Sequence, residues 1–103
     1  MKVSELFGEA LDWAVIHVGG CSAYDPETDK PSTDWAQGGL IIEREWINIT
    51  NENNVWTAEI ADDVPDGYVS ATGPNPLVAA MRCYVTSKLG DEVEIPSELL
   101  ESV

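Results

Sequence analysis

Basic side chains are scarce in this chain of 103 residues. Five lysines and arginines stand against 19 aspartates and glutamates, so the formal net charge is −14. Proteins that bind nucleic acid or an anionic membrane surface need basic side chains to contact the phosphates. We therefore expect neither nucleic acid nor a membrane as a direct partner. The acidic excess instead favours solubility, repulsion of nucleic acid or attraction to a basic partner.

Histidine and cysteine are also scarce, with His17, Cys21 and Cys83 as the only examples. A catalytic histidine would have to be His17, which helical spacing places beside Trp13 on a helix flank, where a packing role is favoured. Two cysteines and one histidine cannot complete a usual structural zinc site without a carboxylate. We expect no enzymatic activity, no cofactor and no metal site.

Long apolar runs are missing, because none approaches the roughly 20 residues of a membrane span. The opening residues Met1-Lys2-Val3-Ser4-Glu5 do not resemble a signal peptide. The expected location is therefore the cytoplasm, with reduced cysteines and with Cys83 as a packed thiol. The length suits one domain, so residues 1–103 are predicted to fold as a single unit.

The strongest helix signal lies at residues 75–90. Asn75 can cap the first turn, Pro76 suits the first helical position, and Gly90 can end the helix in a left-handed conformation. The helical period places five residues on one apolar face: Leu77, Ala80, Met81, Tyr84 and Val85.

A first helix is predicted from Ser4, as its cap, to Val18, before Gly19-Gly20. Its apolar stripe consists of Phe7, Leu11, Ala14, Val15 and Val18. The acidic residues that point away from this stripe are Glu5, Glu9 and Asp12.

Residues 46–50, 55–60 and 68–72 have the composition and spacing of strands, joined by turns at 51–54 and 62–67. Residues 40–45 suit a short helical turn or a strand start, and we favour the turn. We predict an α+β domain with two long helices on the apolar face of a small antiparallel three-stranded sheet. Residues 93–95 suit an edge strand, through which a homodimer could form, and 96–100 suit a helical turn.

Residues 32–39 combine capping-type side chains, an aromatic residue, an amide and a glycine pair. The candidate binding residues in this segment are Thr33, Asp34, Trp35 and Gln37. A glycine pair lets the backbone approach a ligand closely. The alternative is a structural connection from helix to strand, with Trp35 filling the core.

Several long stretches resemble the NinX-like family, which comprises small accessory proteins of lambdoid phages and prophages. The similar stretches are residues 1–6, 11–15, 32–39, 41–45 and 73–90. The resemblance implies an origin more than an activity, since the family's biochemical function is unknown and such accessory genes often serve host takeover or evasion of host defence. The family often has proline where this chain has Leu40 and glycine where it has Trp46. Trp46 would therefore create a contact that other members lack.

The first functional hypothesis is that the chain binds a host protein with a basic surface and inhibits or modulates it, in the cytoplasm of the infected bacterium. A strongly acidic surface can imitate a phosphate array or dock on a basic patch. An exposed tryptophan would be a hot spot, and the four candidates are Trp13, Trp35, Trp46 and Trp56. Alternatively, all but Trp46 lie in the core and the acidic residues form a solvated shell.

The second hypothesis is capture of a nucleotide-like small molecule, such as an immune signal. The helix beginning after Asn75 offers free N–H groups to an anion, and Arg44 and Arg82 would supply polar partners. Because the net charge repels anions, this hypothesis requires Arg44, Arg82 and the Asn75 turn to converge in one pocket.

Overall fold

The computed structural model describes residues 2–19, 25, 27–61 and 68–95. The order of elements, after a 3-10 turn at Val3–Glu5, is α1 (Gly8–Val18), α2 (Trp35–Glu45), β1 (Asn48–Glu52), β2 (Val55–Ala61), β3 (Tyr68–Gly73) and α3 (Pro76–Leu89). The sheet is antiparallel in the order β1-β2-β3. The α+β class is confirmed, but there are three α-helices in the described part of the chain where two long ones were predicted.

Helix α3 is the central element, and its predicted boundaries are confirmed. The Asn75 side chain accepts a hydrogen bond from the Val78 N–H at 2.9 Å, and Pro76 occupies the first helical position. Gly90 follows the helix with φ +86°, a conformation that favours glycine. The helix packs against β2, β3, α1 and α2, so it is buried on more sides than the single predicted face.

The sheet turns one face toward α3. Ala58 lies opposite Ile49 on one side and Ala71 on the other, and all three belong to or pack against the core. Asn53 and Asn54 link β1 to β2 with φ 54° and 66°, the left-handed values that a two-residue hairpin turn requires. The turn predicted at 62–67 lies outside the described residues.

Helix α1 begins later than predicted. Ser4 lies in the 3-10 turn, and α1 starts after Phe7, which makes no side-chain capping bond, so the predicted Ser4 cap is wrong. Phe7 is 49% exposed instead of joining the core stripe. Helix α1 packs on α3, with Leu11 and Val15 in the shared core.

The segment after α3 lies against the N-terminal segment. Lys2 and Glu92 form an antiparallel bridge, and the Val3 N–H donates to the Asp91 carbonyl at 2.9 Å. Val93 and Ile95 pack against the core. The helical turn predicted at 96–100 lies outside the described residues, as does Cys21. Within the described ranges, no helix is both long and apolar enough to cross a bilayer.

Candidate functional site

The polar residues before and within the start of α2 hold the local fold together. Asp34 is the N-cap of α2, and its carboxylate accepts from the Ala36 N–H at 2.9 Å and from the Gln37 side chain at 3.2 Å. Gln37 also donates to the Thr28 carbonyl at 2.7 Å and accepts from the Lys30 N–H at 2.9 Å. These bonds explain Asp34 and Gln37 by structure alone, without a ligand.

Residues 32–39 are not a connection from helix to strand, because α2 begins within them at Trp35. Gly38 is buried where α2 approaches the Pro31 carbonyl and the Leu77 side chain, and a β-carbon at position 38 would collide with both. The glycine therefore serves the packing of α2 against α3. Trp35 is 56% exposed, so it does not fill the core, and Thr33 is exposed beside it.

Arg44 lies on the side of α3 that carries Tyr84. It donates to the Tyr84 hydroxyl at 3.1 Å and forms an ion pair with Glu45 at 3.0 Å. The hydrogen bond with Glu45 raises the pKa of Arg44. Lys88 reaches the other oxygen of Glu45 at 3.5 Å, so these residues form a small charged network.

Arg82 lies on the opposite side of α3, since residues two apart on a helix point about 200° apart. Its guanidinium donates to the Leu6 carbonyl at 2.8 Å and to the Thr72 carbonyl at 3.0 Å, which ties α3 to the N-terminal segment and to β3. Burial lowers the pKa of Arg82. Arg82 is therefore a structural crosslink between three segments.

Arg44, Arg82 and the Asn75 turn do not meet in one pocket, as nucleotide capture would require. Arg44 and Arg82 contact opposite sides of α3, and Asn75 caps the helix more than two turns before Tyr84. The Asn75 side chain is engaged by the Val78 N–H, and the Asn75 carbonyl accepts from the Ala79 N–H. The predicted pocket between these three residues is wrong.

Trp46 differs from the other predicted site residues in its backbone conformation and in the exposure of its side chain. It is the C-cap of α2, with φ 56° and ψ 49° in the left-handed region, and its N–H donates to the Glu43 carbonyl at 3.4 Å. Its side chain is 85% exposed. A non-glycine residue costs about 1–2 kcal/mol in this conformation. The fold therefore holds a large aromatic side chain in solvent at a position where glycine would be favoured.

A surface cavity of about 590 Å³ adjoins Trp46, which we call the Trp46 cavity. It is lined by Leu40, Glu43, Arg44 and Trp46. Leu40 is 65% exposed, so two large apolar side chains flank one acidic and one basic group. Leu40 and Glu43 were missed as site residues because the short helical turn predicted at 40–45 gave no register for the longer helix.

The thiol of Cys83 is buried, as predicted. It contacts the Val69 carbonyl at 3.2 Å, and burial raises the pKa of the thiol to about 11. A thiol that stays protonated is a poor nucleophile and metal ligand. Among the residues that the structure describes, no three His, Cys, Asp or Glu side chains are grouped to hold a metal ion.

Asp12 was predicted to point away from the core, but it is 4% exposed. Its carboxylate accepts from the Ser32 N–H at 2.8 Å and so fixes the turn before α2 to α1. Burial raises the pKa of Asp12, the hydrogen bonding by Ser32 opposes that shift, Glu9 adds to it and Lys30 opposes it.

The raised pKa makes a prediction for Asp12→Asn. Asparagine retains an acceptor for Ser32 without a buried charge. The native state binds the Asp12 proton more tightly than the unfolded state, so wild-type stability relative to Asp12→Asn should fall as pH rises from the ordinary aspartate pKa through the native one. Denaturant titrations of both proteins between acid and neutral pH measure this difference.

Asp12→Ala is the control, because it leaves the Ser32 N–H buried without its acceptor. It should lose about 1–3 kcal/mol of unfolding free energy. If the stabilities of wild type and Asp12→Asn stayed parallel at every pH, the buried carboxyl would have no part in the pH dependence.

Comparison with known proteins gives one family. The model of the family described as "Bacteriophage P22, NinX" matches residues 19–88. The matched region contains α2, the sheet and nearly all of α3, and it includes both Gly38 and Trp46. No curated protein matches the chain.

Proposed function

Because the chain belongs to the bacteriophage P22 NinX family, we propose that it is a phage accessory protein that acts by binding a host protein with a basic surface. Binding would inhibit or modulate that host protein in the bacterial cytoplasm. Family membership indicates a phage origin, and the proposal adds an activity. It is supported chiefly by the exposure and backbone conformation of Trp46.

Trp46 carries the proposal because the fold gains little from it. Buried aromatic residues stabilise a protein by removing apolar area from water, but this side chain is 85% exposed. Its backbone conformation favours glycine, which is also the residue that the resemblance to the NinX-like family implies at this position. Tryptophan is the residue most typical of binding hot spots, where one large side chain fills a pocket of the partner.

The neighbouring side chains suit a protein interface. Leu40 extends the apolar area beside Trp46, and Glu43 and Arg44 supply opposite charges at the edge of the same cavity. An apolar centre with a polar rim is typical of protein interfaces. Arg44 is held by Glu45 and Tyr84, so this part of the rim is ordered before a partner arrives.

Charge favours a basic partner. The chain carries a net charge of −14, and this field accelerates association with a positively charged surface. Affinity should therefore fall as salt rises. The same field repels a nucleotide-like anion, and the arginines that would have to offset the repulsion do not converge.

Replacing Trp46 by glycine should separate binding from stability. Glycine relieves the left-handed backbone but loses more backbone entropy on folding, so the unfolding free energy should rise by only about 0.5–1 kcal/mol. Loss of a hot-spot side chain should weaken partner binding by about 2 kcal/mol, or roughly thirtyfold. Thermal unfolding gives the first quantity. For the second, the partner is identified by crosslinking in infected cells, purified, and titrated with each variant.

Tyr68→Ala is the control, because it removes an exposed aromatic side chain from β3 outside the Trp46 cavity. It should leave affinity within about threefold of wild type. Equal affinities for wild type and Trp46→Gly would refute the proposed interface. Affinity that does not change with salt would refute the electrostatic part.

A further inference from the structure

A second cavity, of about 410 Å³, lies between α1, the end of α3 and the segment that follows α3. It is lined by Trp13, His17, Leu89, Glu92, Val93 and Glu94. We call it the Trp13 cavity. It shares no lining residue with the Trp46 cavity. Its lining combines aromatic rings with carboxylates, and this combination indicates what it can bind.

The aromatic part of the Trp13 cavity is preorganised. The rings of Trp13 and His17 stack with their centroids 4.9 Å apart and their planes within 7° of parallel. Trp13 is partly buried against the core, which fixes one ring, whereas His17 is exposed. The cavity therefore has a stacked aromatic pair beside the apolar side chain of Leu89.

The acidic part comes from the segment after α3. Glu92 and Glu94 are two residues apart and both line the cavity. The described residues that line it include no lysine or arginine. Of the two nearby cations, Lys2 is the backbone bridge partner of Glu92 but lines a different cavity with Ser4 and Asp91, and Lys88 pairs with Glu45.

We propose that the Trp13 cavity binds a guanidinium group, the side chain of an arginine supplied by a protein partner. A guanidinium is planar, stacks on aromatic faces and donates hydrogen bonds to carboxylates in a fork geometry. Attraction between a cation and the stacked aromatic pair adds to the carboxylate contacts. A carboxylate or phosphate ligand would instead meet Glu92 and Glu94 as like charges.

That a protein partner supplies the arginine rests on the proposed function, in which the partner has a basic surface. That the cavity binds a guanidinium group does not depend on the proposed function, because it can be tested without a partner. The probe is N-acetyl-arginine amide, and its neutral near-isostere N-acetyl-citrulline amide is the control ligand. Binding is followed by NMR through the Trp13 indole N–H, assigned with a Trp13→Phe variant, and through the backbone amides of residues 89–94.

The arginine amide should shift these resonances with millimolar affinity, and the citrulline amide should bind about fivefold more weakly or not at all. The double variant Glu92→Gln/Glu94→Gln should weaken arginine binding about fivefold, since each exposed ion pair contributes up to about 1 kcal/mol. Glu5→Gln/Glu9→Gln changes the net charge equally at exposed sites outside the cavity, and it should leave the affinity nearly unchanged.

Equal binding of the arginine and citrulline amides would overturn the inference, as would equal losses in the two double variants, which would show a general field effect. Partner binding then separates the two proposals. If the partner depends on Trp46 but the arginine amide does not bind, only the cavity inference fails. If the arginine amide binds and the partner is indifferent to Trp46, the cavity stands and the proposed interface fails.

Discussion

Gly38→Ala is expected to lower the unfolding free energy by about 3 kcal/mol or more. The added β-carbon would lie 2.5 Å from Leu77 Cδ2 and would also collide with the Pro31 carbonyl. The carbonyl is backbone, so it cannot move aside by changing a rotamer. Either α2 must move away from α3 or the turn before α2 must deform.

Gly39→Ala is the matched control one residue along the same helix. The nearest atom to its new β-carbon would be Trp35 Cε3 at 3.8 Å, an ordinary van der Waals contact. Alanine is a better helix former than glycine, so this variant should gain about 0.5–1 kcal/mol. The melting temperatures should therefore move in opposite directions, with Gly38→Ala lower by at least about 10 °C. A shift in the same direction for both variants would contradict the close packing at Gly38.

Arg82→Met is expected to lose about 2–3 kcal/mol of unfolding free energy. Methionine retains much of the apolar stem but leaves the carbonyls of Leu6 and Thr72 without the guanidinium that they accept from. Hydrogen bonds to charged groups contribute about 1.5–3 kcal/mol each, and the lower end applies here because one of the two bonds is exposed to solvent. Urea unfolding followed by circular dichroism measures the loss.

Lys88→Met makes the same change of charge on the same helix. Lys88 is exposed and contacts Glu45 at 3.5 Å, and an exposed ion pair of this kind contributes about 0–1 kcal/mol. Arg82→Met should therefore destabilise the protein at least twice as much. Comparable losses would mean that Arg82 acts through its charge alone and does not connect the three segments.

Helix α3 and the hairpin were predictable because their signals are local. Asn75, Pro76 and Gly90 mark the ends of a helix whatever it packs against, and the paired asparagines at 53–54 suit a tight turn. Strand β1 begins two residues later than predicted because Trp46 completes α2 instead of beginning a strand.

The first half of α2 was missed because Gly38 is explained only by a tertiary contact, whereas residues 40–45 were predicted as a short helical turn. Gly38-Gly39 has low intrinsic helix propensity, so local reasoning predicts a loop, whereas the helix gains from Gly38 only once α3 and Pro31 are in place. Asp12 was misplaced for a related reason. Helical periodicity assigns charged residues to solvent, and only the folded position of Ser32 explains the buried carboxyl.

The sequence predicted some residues of the candidate site but not their positions relative to one another. Trp46 and Arg44 do line one cavity, but Asp34 and Gln37 maintain the fold, and Arg82 lies across α3 from Arg44. The directions in which these side chains point depend on how α2 packs against α3. The spacing of residues within either helix does not determine that packing.

The bridge between Lys2 and Glu92 also has a consequence for the order in which the protein opens and closes. Joining residues so distant in the chain carries a loop-closure entropy cost of about 4 kcal/mol beyond a constant, so the bridge forms after the helices and sheet that bring its ends together. It should be among the first parts to open in local unfolding. Because Glu92 also lines the Trp13 cavity, each such opening would remove part of the cavity's acidic wall while the sheet and α3 stay folded.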